Sequence, residues 1–144
     1  VYTVAKATPN IAISFPTGTS VLGQLATLVA DVTVPVGQAI TGNNTSWVYF
    51  YDNATNTNLG WAWVNANGRA TLTTSALPLG NRTIRAVFGS SDTSINSASN
   101  TLGGFIVTQT GTSTQVSSTP GTWVVGQQVT FSAQVIATNG SQPQ

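Results

Sequence analysis

The 144-residue chain contains no cysteine and no histidine. Without cysteine there is neither a disulfide nor thiolate chemistry. Without histidine the commonest general base and the commonest metal ligand are missing. Charge is scarce as well: Lys6, Arg69, Arg82 and Arg85 oppose Asp31, Asp52 and Asp92, glutamate is absent, and the formal net charge is +1. A nucleic-acid interface needs clustered Lys and Arg, which this chain does not carry. A polybasic or acidic membrane-surface segment is equally missing. No apolar run approaches the ~20 residues of a bilayer-spanning helix. The opening residues Val1–Lys6 lack the charged start and long apolar stretch of a signal peptide. Any export signal is therefore expected to be removed or to lie elsewhere. Uncharged Thr, Ser, Asn and Gln take the place of charge at the surface. A surface of that kind carries little like-charge repulsion and suits a dense extracellular assembly.

What the chain does have is alternation. β-branched and aromatic residues alternate with polar ones in short runs punctuated by Gly, Pro and Asn, the pattern of an all-β protein with sandwich-like spacing. Strands are expected at Val1–Lys6, Asn10–Ser14, Ser20–Leu22, Leu25–Val34, Ser46–Asp52, Leu59–Val64, Arg69–Ser75, Asn81–Phe88 and Thr101–Gln109. Ala26, Leu28, Ala30 and Val32 share one face of the first long strand. Pro35–Thr45 and Gly89–Asn100 read as polar loops, Asn53–Asn58 as a turn, and Leu77–Gly80 as a corner. Asn65-Ala66-Asn67-Gly68 is expected to close a hairpin, since Asn-Gly tolerates the positive φ of tight turns.

The stretch Val21-Leu22-Gly23-Gln24-Leu25-Ala26-Thr27-Leu28-Val29-Ala30-Asp31-Val32 returns 103 residues later as Val124-Val125-Gly126-Gln127-Gln128-Val129-Thr130-Phe131-Ser132-Ala133-Gln134-Val135. At the same interval Tyr2 meets Phe105, Val4 meets Val107, Gly18 meets Gly121 and Gly37 meets Gly140, without a gap. Agreement of loop lengths as well as strands marks a tandem repeat. The expected organisation is 1–7 as the last strand of a preceding repeat, 8–110 as a complete domain, and 111–144 as the first strands of a following repeat. Two or three strands alone bury too little apolar area to offset their ordering entropy. Completion is expected either from another copy by strand exchange, which gives filaments, or from a longer array of which these residues are a window.

Several stretches carry a family resemblance: Val21–Gln24, Val48–Asp52, Leu59-Gly60, Asn65–Gly68, Ala70–Gly80 and Ile84–Phe88. Together they resemble the bacterial Ig-like repeats found in tandem in large prokaryotic surface proteins. The resemblance covers Thr8–Thr110, matching the ~100 residues of an immunoglobulin-like antiparallel β-sandwich, with partial repeats on either side. It implies a non-enzymatic spacer or stalk in an adhesin-type protein at a prokaryotic cell surface, with no family-wide catalytic residues. The sequence departs from the family's habit in two places. Trp47, Tyr49, Tyr51, Trp61 and Trp63 stand where such repeats usually have Thr or Ser on the outer face. Gly89-Ser90-Ser91-Asp92 replaces a Gly-Asp that often follows this strand, which weakens a calcium expectation for that loop.

Those five aromatic residues are the candidate site. If the two strands pair, five rings share one outer face, and exposed aromatic patches mark contacts. The first reading is a protein–protein contact, with copies of the chain or neighbouring repeats in a fibre. The second is a platform for stacking sugar rings of surface glycans, a carbohydrate-binding module. The third is that the faces are inverted or loops cover them. Asp31, Asp52 and Asp92 lie on separate elements, too dispersed for calcium or for paired acid catalysis, and Asp52 reads as a turn former. Lys6 as half of a self-made Lys–Asn cross-link lacks an acidic helper. Asn43, Asn44, Asn53, Asn81 and Asn139 each open an Asn-x-Ser/Thr sequon, a pattern that arises easily in a Thr-rich chain. No catalytic residue, metal site or cofactor is expected.

Overall fold

The alternation becomes ten strands: β1 (Asn10–Ser14), β2 (Thr19–Val21), β3 (Ala26–Thr33), β4 (Ser46–Asp52), β5 (Thr57–Trp63), β6 (Arg69–Thr74), β7 (Gly80–Ser90), β8 (Ala98–Thr108), β9 (Thr112–Thr119) and β10 (Thr130–Ala137). They come from a computed structural model that describes residues 5–35, 39–40, 42, 44–119 and 121–138, and no helix occurs among these. The chain divides into two units, one ending at Thr108 and the other starting at Gln109.

The first unit is an Ig-like β-sandwich of a three-stranded sheet, β1-β3-β6, and a five-stranded sheet, β2-β8-β7-β4-β5. Successive side chains of a strand point to opposite faces, so every second residue turns inward. Ala26, Leu28, Ala30 and Val32 of β3 are buried, as their spacing predicts. Facing them are Val48 and Phe50 of β4, Ile84, Ala86 and Phe88 of β7, and Phe105 and Val107 of β8, all part of one core. Burying each large apolar side chain stabilises the fold by about 1.5–3 kcal/mol. On the outer face of the smaller sheet, Arg69 and Asp31 sit opposite each other across β3 and β6. Arg69 Nε donates to Asp31 Oδ1 at 2.7 Å and Nη2 to Oδ2 at 3.0 Å. These hydrogen bonds hold the Asp31 carboxyl below the usual carboxylate range.

Several elements differ from the sequence expectation. Asn65–Gly68 makes the expected tight turn, with Gly68 N–H donating to Asn65 O at 2.9 Å and Gly68 at φ 77°. The strands it joins lie in different sheets, however, so it is no hairpin within one sheet. β6 pairs with β3 instead of β5, and Val32 N–H bonds Gly68 O at 2.7 Å, drawing the turn to the smaller sheet. β5 begins at Thr57, inside the expected turn, because the turn closes at Asn56 with φ 54°. The register of β5 then shifts opposite Phe50 and Tyr51. The extra residue lets both Leu59 and Val64 face inward, although they differ in parity. β8 starts at Ala98, inside the expected polar loop, since β7 supplies hydrogen bonds to a stretch with few apolar side chains. Ala5 and Lys6 are not in a strand; Ala7 makes only an isolated bridge to Ile95. The rest of the expected first strand, Val1–Val4, lies outside the described residues, as do Asn43 and Asn139.

The second unit is an antiparallel hairpin of β9 and β10. Its register repeats that of β1 and β3 at the sequence interval. Ile11 pairs with Val32, and Thr114 pairs with Val135; Ser14 pairs with Val29, and Ser117 with Ser132. The preceding turn repeats too. Gln24 N–H bonds Val21 O at 2.9 Å with Gly23 at φ 78°, and Gln127 N–H bonds Val124 O at 3.1 Å with Gly126 at φ 88°.

Candidate functional site

The inward set of β4, Val48 and Phe50, forces its odd-numbered neighbours outward, and the antiparallel pairing with β5 aligns them. Trp47 lies opposite Trp63 and Tyr49 opposite Trp61. The five rings therefore do stand on one face of the larger sheet. Trp61 and Trp63, on its edge strand, are 46% and 42% exposed; Trp47, Tyr49 and Tyr51 are half-buried. The tryptophan rings pack edge to face, and the tyrosine rings are tilted, Tyr49 against Tyr51 at 6.3 Å and 37°. Trp61 and Trp63 are 5.0 Å apart at 89°, Trp47 and Trp63 6.1 Å apart at 84°, and Tyr49 meets Trp61 at 6.3 Å and 46°. Edge-to-face pairs stabilise by about 0.5–1.5 kcal/mol beyond their burial. Their mutual angles also mean that the rings do not form one flat surface.

β7 contributes residues that the aromatic pattern did not reveal. Arg85, Val87 and Gly89 lie beside Tyr51, Tyr49 and Trp47. Arg85 places its guanidinium carbon 4.8 Å from the Tyr51 ring centre, a cation–π contact, and its Nη2 donates to Asn56 Oδ1 at 2.6 Å. Gly89 makes room for the Trp47 indole: a Cβ there would lie 2.8 Å from Trp47 Cε2. The signal was available in the parity of β7, since Ile84, Ala86 and Phe88 facing inward puts Arg85, Val87 and Gly89 outward.

Asp52 is not only a turn former. Its Oδ1 accepts the Ala54 N–H at 3.1 Å, as a turn former's does. But the side chain is fully buried, and Oδ2 lies 3.4 Å from Arg82 Nη2. Asp31 is engaged by Arg69 and Asp92 by Ser94, whose hydroxyl and backbone N–H hold the Asp92 carboxyl below its usual range. No three metal-ligating side chains gather among the described residues. Lys6, Asn44, Asn53 and Asn81 are exposed.

The second unit adds an apolar face that composition alone did not single out. Leu28 and Val32 of β3 are 0% and 3% exposed, while their counterparts Phe131 and Val135 of β10 are 67% and 49% exposed. Val116, the counterpart of the half-buried Ile13, is 68% exposed. Trp123 and Phe131 form a ring pair at 6.2 Å.

No curated protein matches the chain. The bacterial Ig-like domain (group 3) family matches it over residues 13–110, spanning β2 to β8 and the last two residues of β1. That is well over half of the sequence, and the chain belongs to this family of bacterial Ig-like domains.

Proposed function

We propose that the chain is a building block of an extracellular stalk or fibre, assembled from Ig-like repeats spaced 103 residues apart in an adhesin-type surface protein. Bacterial Ig-like domains are structural modules, generally without enzymatic activity, and often occur in surface proteins. The observation that carries the finer reading is the hairpin of the second unit. It repeats the register of β1 and β3 and the turn before β3, yet leaves exposed the residues whose counterparts form the core. On this reading 8–110 is one whole repeat, 1–7 ends a preceding one and 111–144 opens a following one. The partner of the hairpin is a five-stranded sheet of the kind built by β2, β8, β7, β4 and β5. It comes from the same polypeptide or, by strand sharing, from another copy.

In such an array the aromatic face is a lateral contact between copies or neighbouring repeats. The exposure of Trp61 and Trp63 also supports a second reading, a carbohydrate-binding surface for surface glycans. Two of the ring pairs are near-perpendicular and leave no single flat platform, which favours the first. Small-angle scattering tests the stalk reading on chains with increasing numbers of Thr8–Thr110 copies joined at the natural spacing. The maximum dimension is expected to grow in proportion to repeat number. Growth like that of a compact globule contradicts a stalk.

A further inference from the structure

The two ends of the first unit run side by side in the same direction. Ala7 N–H donates to Ser94 O at 2.9 Å, and Asn96 N–H to Ala7 O at 2.8 Å. Asn96 Nδ2 reaches Thr8 Oγ1 at 3.1 Å, and Asn100 Nδ2 reaches Ile11 O at 2.7 Å. β2 then pairs with β8 in parallel, Thr19 beside Ile106, Ser20 beside Val107 and Val21 beside Thr108. Ile106 N–H bonds Gly18 O at 3.1 Å, and Leu22 N–H bonds Thr108 O at 2.9 Å. From Ala7 to Leu22 the entering chain is thus tied, in order, to the departing chain from Ser94 to Thr108.

We infer that this overlap is a lap joint that carries tension along the chain in shear. The chain enters at the Ala7–Ile95 end of the overlap and leaves at the Val21–Thr108 end. A pull on both ends therefore slides one segment along the other. The hydrogen bonds cross the joint transverse to that sliding, so they are strained together and must break together. A pull applied to both segments at one end opens the same bonds one at a time. β1 adds antiparallel bonds to β3 on its other side, and these too are loaded along the strand. The joint contains no charged side chain from Ala7 to Leu22 or from Thr93 to Thr108. This property follows from the topology of the first unit and holds whether or not the array reading does.

Because the chain has no cysteine, handles can be attached at chosen cysteine pairs. Forced unfolding tracks the barrier to unfolding and so reads the joint. The full chain would be pulled through Ala5→Cys and Gln109→Cys, at opposite ends of the joint. In a second chain it would be pulled through Ala5→Cys and Thr93→Cys, at the same end. The first geometry is expected to need several-fold more force. Leu22→Pro sharpens the test. It deletes the N–H that bonds Thr108 O. The turn tolerates proline, because Gly23 at φ 78° and the Gln24 N–H bond to Val21 O give the type II arrangement with Leu22 at its second position. This variant is expected to lower the end-to-end force and leave the same-end force unchanged. Equal forces in the two geometries of the parent chain, which need no variant, overturn the proposal. So does a Leu22→Pro chain that loses force equally in both geometries or in neither.

Discussion

Asp52→Ala is expected to lower the unfolding free energy by about 3–5 kcal/mol, the cost of removing one partner of a buried ion pair. Asp52 continues the inward row Val48 and Phe50 to the end of β4 and is 0% exposed. Its partner Arg82 is held between it and the corner before β7, with Nη1 donating to Leu79 O at 3.0 Å. The pair is not ideal: Oδ2 and Nη2 are 3.4 Å apart, and Asp52 Oδ2 and Arg82 Nε lack hydrogen-bond partners. Its net contribution is therefore small, while breaking it is costly. Alanine also removes the acceptor of the Ala54 N–H, which loosens the turn between β4 and β5. The same argument makes a second, contrary result part of the expectation. Replacing both residues together, Asp52→Leu with Arg82→Met, removes both desolvated charges and recovers most of the loss. Urea titrations of the two single variants and the double variant measure this. A loss below about 1 kcal/mol for Asp52→Ala, the worth of an exposed pair, would show that the Arg82 guanidinium reaches water.

Phe50→Ala is expected to cost about 3–5 kcal/mol for a different reason, an unfilled cavity. Phe50 sits on β4, between β5 and β7 in the larger sheet, and is fully buried. Its strand neighbours on either side are the small residues Gly60 and Ala86. The ring fills the space that these two leave. Gly60 cannot be enlarged in compensation, because a Cβ there would come within 2.9 Å of Leu72 Cδ1 and the residue holds φ 134°. Phe50→Leu keeps much of the volume and is expected to cost clearly less than Phe50→Ala. Thermal unfolding of the two variants checks the order.

The parts of the fold that were legible in the sequence are those where side-chain burial alone decides. The inward rows of β3, β4 and β7 and the outward row of aromatic residues are consequences of period two, and a reader of the alternation finds them. The parts that were not legible depend on backbone pairing. The start of β8 at Ala98 rests on hydrogen bonds from β7 to a polar stretch, which leaves no apolar trace. The bulge of β5 and the passage of Asn65–Gly68 between sheets depend on which strand is the neighbour, and local sequence does not record that. Asp52 forms the expected turn, but its ion pair was missed for a related reason. Its contact with Arg82 lies 30 residues away along the chain, and only the pairing of Asp52 with Ile84 brings the two together. Of the aromatic face, the five rings were found, while Arg85 and Gly89 on the adjoining strand were not.

We propose that residues 111–144 open a second repeat, whose core is completed by a sheet equivalent to β2-β8-β7-β4-β5. The most direct test supplies that sheet. Residues 42–110 of the same chain would be joined after Gln144, where the 103-residue interval places their counterparts. In the chain as it stands, the amides of β10 are expected to exchange with solvent rapidly, since a two-stranded hairpin is marginal in water. In the extended chain, the claim predicts that amides from Thr130 to Ala137 become as protected as those from Ala26 to Thr33, and that Phe131 and Val135 leave the surface. Continued rapid exchange from Thr130 to Ala137, with the added segment unfolded, would contradict it.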